Sequence, residues 1–519
     1  MHHFTNNSRR LFLRQASAMS ALVGSAATPL ALNLAALGSA AAQTQSDYRA
    51  LVCLFFFGGN DSFNMVLPTD AASWSAYQTT RNQAPDPIAL RAVGTLPDGT
   101  AAVASPARLG GVLPISPINA QGRSFALHPL LASLQTMFGS DRRLAVLPNI
   151  GPLILPTTKA QYASATHPRP VRLFSHNDQQ NTWQALGPEG TTVGWGGRMG
   201  DMIAAQNARP AFTAISATGN AVWLAGDQVR QYQVNTSGAI PLGVDSAGRV
   251  FGSATVGASL QRLATSVRNG HPFDADLAAV ARRAIDAEQV LRTALRAPSD
   301  PAFGTAPATG NYIANNDPKL RYDNPLTGAQ APNALAQQMQ IVARLIDAGL
   351  RGTSGTRRQV FFVSVGGFDT HDLQNRNQAD LMARVAQALQ YFDTTLGGLG
   401  ARNNVTTFSA SDFGRTFTSN GDGTDHGWGS HHFVMGGAVR GGDLYGRFPT
   451  LSVKNATNNN FDGSPDQLGN GSLLPATSVD QLGATLGRWM GLSDAQILDI
   501  FPNLANFDAS VRNLGFLGA

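Results

Sequence analysis

The stretch YRALVCLFFFGGND, residues 48–61, sets a continuous apolar run against an abrupt polar exit. An alternating run would mark a strand with one wet face. A continuous one marks a strand covered on both faces, as in a parallel sheet with helices on either side. Gly58 and Gly59 let the chain turn sharply. Asp61 then lies beyond the carboxyl end of the strand, where open α/β sheets gather their ligands.

The same pattern recurs outward from this segment. VFFVSV (360–365) runs into GGFDTHD (366–372), which carries Asp369 and His371. NVTTFSASDFGRT (404–416) gives a strand and then Asp412, and a glycine-rich loop leads on to Asp425 and His426. LAVLPNIG (144–151), AFTAISA (211–217) and HHFVMGGAV (431–439) supply further strand candidates. Between them, apolar residues at helical spacing predict helices over 127–138, 194–203, 332–350 and 376–396. Ser175 and Asn177, both good caps, offer starts for another helix in VRLFSHNDQQNTWQALG (171–187). Residues 226–330 read as a loop-rich insertion with helices near 259–267 and 274–295. Strands and helices alternate at both ends of the chain, which predicts an α/β fold with a mostly parallel central sheet flanked by helices. Residues 43–519 then form one domain, with function at one sheet edge.

The first 42 residues read as an address. Ser8, Arg9, Arg10, Leu11, Phe12, Leu13 and Arg14 precede an Ala-rich apolar segment that ends at Ala40–Ala42. This is the order of a twin-arginine export signal, with cleavage after Ala42 and no permanent transmembrane span. It predicts the twin-arginine export machinery as a partner and the periplasm, or another exported location, as the destination. Without these three arginines the net charge falls from +5 to +2, and no basic tract with interleaved aromatics argues for nucleic acid. Cys53 is the single cysteine of the 519 residues. Intrachain disulfides and thiolate zinc sites are thereby excluded, and any metal must take oxygen and imidazole ligands.

The candidate site residues are Asp61, Ser175, Asp369, His371, Asp412 and His426. Three carboxylates, two imidazoles and a hydroxyl suffice for one or two divalent ions. The donor set puts zinc first, with manganese or calcium as alternatives. Ser175 at a helix start is the candidate nucleophile, with His176 as base or ligand, Asp178 as its orienter and Arg172 as an anion clamp. Each residue also has an ordinary structural reading as a turn former or cap. No G-x-S-x-G elbow and no G-x-x-x-x-G-K-S/T loop occurs, which leaves the α/β-hydrolase triad and the nucleotide-binding loop without support.

The segments FFFGGNDSFNMVLP, LFSHNDQQNTWQ, GWGGRM, VGGFDTHDLQ, ASDFGRT and GTDHGWGSHHFVMGGAV, with the twin-arginine start, resemble the exported bacterial DUF1501 family. That family is distantly similar to alkaline phosphatases and sulfatases. The resemblance implies an alkaline-phosphatase-like three-layer sandwich, with Asp61 as a bridging metal ligand and Ser175 as counterpart of the Ser/Thr nucleophile. It implies Asp369 and His371 at one ion, Asp412 at the other, and His426 returning to the first, with Asp425 as a substitute or support. The chain departs from that pattern. Phe413 follows Asp412 where the superfamily has His, a single residue separates Asp369 from His371, and no C-x-P-x-R or S-x-P-x-R segment occurs. One ion site is then weak, absent or completed by another residue, His176 or Asp178. Two functions stand open at this point. One is a metal-dependent phosphate or sulfate ester hydrolase. The other is a noncatalytic cell-envelope or carbohydrate-interaction protein with a glycan ligand on a degenerate hydrolase fold.

Overall fold

The computed structural model describes residues 48–245, 247–267 and 271–518; the export segment read at 1–42 lies outside them. Arg49–Phe57 (β1) is buried along its length apart from its two ends. It sits inside a nine-stranded sheet with Leu144–Gly151 (β2), Ala214–Ser216 (β3), Tyr232–Asn235 (β4), Gly238–Ala239 (β5), Arg358–Gly366 (β6), Val405–Ser411 (β7), Ser430–Met435 (β8) and Thr477–Ser478 (β9). The spatial order is β9-β2-β8-β7-β1-β6-β3-β4-β5. β1 pairs in parallel with β6 on one side and β7 on the other. Only β8 and β5 run against the remaining strands. The continuous apolar run is therefore a central strand of a mostly parallel sheet.

Helices cover the sheet. Leu51, Cys53 and Phe55 point to one face and join a core with Trp183, Trp195, Met199, Leu482 and Phe501. The alternate residues Val52, Leu54 and Phe56 point the other way and are equally buried. In chain order the main helices are Ala71–Arg81 (α1), Ala132–Gly139 (α2), His176–Ala185 (α3), Trp195–Ile203 (α4), Ala254–Thr265 (α5), Pro272–Ala294 (α6), Ala334–Leu350 (α7), Gln374–Gly398 (α8) and Val479–Met490 (α9). α7 packs on β6 and on α8. α2 starts later than its apolar stripe begins, because Phe125–Leu127 joins a small three-stranded sheet and the chain then turns at His128, whose carbonyl accepts from Leu131 N–H. Residues 226–330 are not purely an insertion: β4 and β5 extend the edge of the central sheet, while α5 and α6 pack on each other. Among the described residues, no helix is long and apolar enough to cross a membrane. Cys53 is buried, and burial pushes its thiol pKa well up, so it packs as a small apolar residue.

The exit of β1 depends on Gly58. Its φ is +114°, and a Cβ there would lie 2.3 Å from the backbone nitrogen of Asp369. Both the conformation and the space require glycine. Gly58→Ala is expected to cost more than about 1 kcal/mol, read as a lowered urea midpoint. An unchanged midpoint would show that the β1 and β6 exits can part freely.

Candidate functional site

The parallel register places Phe57 beside Gly366 and Phe56 beside Ser411, so the exits of β6, β1 and β7 begin side by side. Asp369 follows β6 by three residues, Asp412 follows β7 directly, and the loop after β7 bends back so that Arg415 bridges to His426. α3 presents His176 from its first turn. His176, Asp369 and His426 each offer a ligand atom, and these atoms all lie within 4.8 Å of one another. His371 adjoins the group: its Nε2 is 2.9 Å from His426 Nε2 and 3.1 Å from Asp369 Oδ1.

The hydrogen bond on the far side of the His426 ring fixes its tautomer. His426 Nδ1 lies 2.7 Å from the Phe174 carbonyl, which can only accept, so this nitrogen carries the proton. His176 Nδ1 lies 2.7 Å from Asp412 Oδ2, and His371 Nδ1 lies 3.3 Å from Asp425 Oδ1. His176 Nδ1 donates to its carboxylate, so in the neutral rings of His176 and His426 Nε2 carries a bare lone pair. His371 lies between two carboxylates, with Nε2 nearer to Asp369 than Nδ1 is to Asp425, and can carry its proton on either nitrogen. The His176 Nε2 is buried without a hydrogen-bond partner among the described residues and stands 3.3 Å from Asp369 Oδ2. That last separation is close enough for charge attraction, although its angle is wrong for a hydrogen bond. Four electron-rich groups converging on one point repel unless a cation or added protons lie between them.

The second layer holds this geometry. Asp412 Oδ2 accepts from His176 Nδ1, from Gln180 Nε2 at 2.8 Å and from Gly58 N–H at 3.2 Å. Gln180 stands one helical turn after His176 on α3, so a single helix face supplies both donors. The Asp412 hydrogen bond raises the His176 pKa, against the opposing effect of burial. Burial acts first on Asp369 and would raise its pKa, but the hydrogen bond and charge of Arg415, 2.7 Å away, hold it below the usual carboxylate range. Burial lowers the pKa of Arg415 and of His426. Phe413 packs against both His176 and His426, with ring centroids 4.8 and 4.6 Å apart. Phe413 is thus an apolar wall behind two imidazoles.

The remaining sequence candidates lie elsewhere or serve otherwise. Asp61 is fully buried and ion-paired with Arg81, with Oδ1 at 3.1 Å and Oδ2 at 2.5 Å, and Gln374 Nε2 also reaches Oδ2. Its oxygens face a guanidinium, not the histidines, which corrects the bridging role expected of it. Asp412 is close to the cluster: its Oδ2 orients His176, and its Oδ1 is buried without a hydrogen-bond partner among the described residues. Ser175 caps α3 without a cap hydrogen bond, and its hydroxyl donates to Asp178 Oδ2 at 2.8 Å. Asp178 therefore holds Ser175, while Asp412 performs the orienting role expected of Asp178. Arg172 is 71% exposed and lies 3.6 Å from Asp178. Four partners went unassigned in the sequence. Gln180, one turn from His176, and Arg415, within a motif, could have been found by spacing. Arg81 and Gln374 meet Asp61 only through tertiary folding.

A family model, "Protein of unknown function (DUF1501)", matches residues 48–501. The chain belongs to the DUF1501 family. The matched span contains every residue of the DUF1501 chain's histidine cluster and of its supporting layer. A search of curated proteins finds no match.

Proposed function

We propose that the cluster holds one divalent ion, zinc first, and that the protein is a metal-dependent hydrolase of a phosphate or sulfate ester. One observation carries this: the Nε2 atoms of His176, His371 and His426 converge on Asp369, at 3.3, 3.1 and 3.3 Å from its oxygens. Three imidazoles and a carboxylate form a donor set suited to zinc. The hydrogen bonds of His176 to Asp412 and of His426 to Phe174 supply the outer layer that orients such ligands. When bound, the ion would polarise an ester oxygen and lower the pKa of a coordinated water. The chain's own part is to fix the rings. Asp412 and Gln180 hold His176, Arg415 holds Asp369, and Phe413 excludes water from the back of the cluster. We extend the reading, on the resemblance and the leader expected from the sequence, to an alkaline-phosphatase-like fold and an exported, periplasmic protein carried by the twin-arginine machinery.

Elemental analysis of the full chain tests the ion. Wild type should carry about one equivalent, and Asp369→Asn and His426→Ala should each lose most of it. Outer-layer substitutions should weaken affinity by about 10–100-fold, so Asp412→Asn should still bind at raised metal concentration. A wild type with no stoichiometric metal after equilibration with zinc, manganese or calcium would defeat the reading.

Ser175 supplies a separate expectation. Because its hydroxyl is committed to Asp178, Ser175→Ala should keep ester turnover within about threefold of wild type and cost about 0.5–1.5 kcal/mol of stability, the worth of one hydrogen bond. Abolished turnover with metal content intact would restore Ser175 as nucleophile. The noncatalytic reading, with a glycan as ligand, also has one observation in its favour: Asp61 is committed to Arg81 and Gln374 and is not free to hold a second ion. Stoichiometric metal without turnover of any phosphate or sulfate ester would favour it.

A further inference from the structure

A second cavity lies away from the histidines. It measures about 150 Å³ and is walled by Leu153, Ile154, Pro170, Val171, Leu186 and Pro188. Thr182, Arg169, Asn503 and Asp480 contribute its polar groups. Thr182 and Leu186 come from the end of α3 opposite His176 and its C-cap.

Asp480 is the residue that needs explaining. It sits in the first turn of α9, after the Ser478 cap, where a carboxylate is favoured by the helix dipole. The dipole does not require burial, yet Asp480 is only 1% exposed. Its Oδ2 accepts from the Ser478 hydroxyl at 2.8 Å. Its Oδ1 is buried and has no hydrogen-bond partner among the described residues. An unsatisfied buried carboxylate oxygen costs free energy unless a water, an ion or a ligand completes it. Arg169 does not, because its guanidinium lies over the Tyr162 ring and donates to the Tyr162 carbonyl.

We infer that this cavity is a binding site for a small organic ammonium with an apolar body about the size of one aromatic ring. The size follows from the volume, since a cavity of about 150 Å³ accommodates benzene. The apolar body follows from the apolar wall residues. The cationic head follows from Asp480, the one carboxylate lining the cavity, whose free oxygen can accept a charge-assisted hydrogen bond. Burial raises the Asp480 pKa to about 6, so the group is ionised at neutral pH and gains most from a cation placed beside it. The site is independent of the proposed metal centre and survives its failure.

Benzylamine is the probe, titrated into the full chain at pH 7.5 by calorimetry and ligand-observed NMR. Wild type should bind it saturably at one site, with benzyl alcohol and toluene at least about tenfold weaker. Asp480→Asn keeps the shape of the side chain and should weaken benzylamine about tenfold or more without a matching loss for toluene. Val171→Trp starts from a side chain that is 53% exposed and fills the cavity without touching the helix start, so it should block all three probes. Absence of saturable benzylamine binding to wild type would overturn the inference. So would equal benzylamine affinity in wild type and folded Asp480→Asn, or binding unchanged by Val171→Trp.

Discussion

Arg81→Leu should destabilise the protein by about 3–5 kcal/mol, the cost of leaving a buried charge without its partner. The side chains of Arg81 and Asp61 are both 0% exposed. The guanidinium spans both carboxylate oxygens and rests near the rings of Phe63 and Tyr77, 5.5 and 5.8 Å away. Leucine preserves apolar packing but strands Asp61, which keeps only the Gln374 side chain on Oδ2. Urea unfolding measures the loss. The double variant Arg81→Leu with Asp61→Leu should recover much of it, because replacing a buried pair by apolar residues costs far less than halving it. A single variant within 1 kcal/mol of wild type would show that water reaches Asp61. The same pair separates structure from chemistry: Asp61→Asn should retain the ion that Asp369→Asn loses. If Asp61→Asn folds and loses it, Asp61 is a ligand after all.

The central sheet was legible because burial writes itself into composition. A strand covered on both faces needs apolar residues at every position, and β1, β6 and β7 have them. Their order in the sheet was not legible, since any of the apolar runs could have been the neighbour of another. The polar exits showed where chemistry would collect, but not which carboxylate would meet which cation. Asp61 and Asp369 both follow strands and both look like ligands. Both pair with an arginine, but Arg81, twenty residues from Asp61 along the chain and brought to it by α1, spans both oxygens of the fully buried Asp61. Arg415 instead takes one oxygen of the half-exposed Asp369 and leaves the other beside His176. Ser175 and His176 are adjacent in sequence, yet a helix start turns one toward Asp178 and the other toward Asp412. Their roles are set by rotation about a helix axis, which composition does not encode. In the same way, the tandem His431–His432 read as part of a strand, and the strand hides both rings in the interior.

Those rings make acid the condition to which the fold should be most sensitive. His128, His431 and His432 are at most 1% exposed, and burial pushes each pKa down to about 3. Each accepts a hydrogen bond or offers a nitrogen that can: His128 Nδ1 takes Leu130 N–H, His431 Nδ1 takes Asn149 N–H, and His432 Nδ1 lies 3.3 Å from the Ser409 hydroxyl. They are therefore held neutral. In the unfolded chain they protonate near pH 6.5, so between about pH 6.5 and 3 the unfolded state binds more protons than the folded one and stability falls as pH falls. His176 and Asp480 have the opposite sign, because their pKa values are raised in the fold, but they are two groups against three. Full expression of the three gives a slope of about 4 kcal/mol per pH unit, and by about pH 4.5 they remove roughly 8 kcal/mol. That is comparable with the whole stability of a typical domain, so acid unfolding is expected near that pH. Urea titrations from pH 7.5 downward measure the slope. His431→Asn supplies a side-chain oxygen for Asn149 N–H and removes one titrating ring, so its slope should be shallower by about 1.4 kcal/mol per pH unit. A stability that stays level from pH 7.5 to 4.5 would mean that these histidines meet water or protons without unfolding.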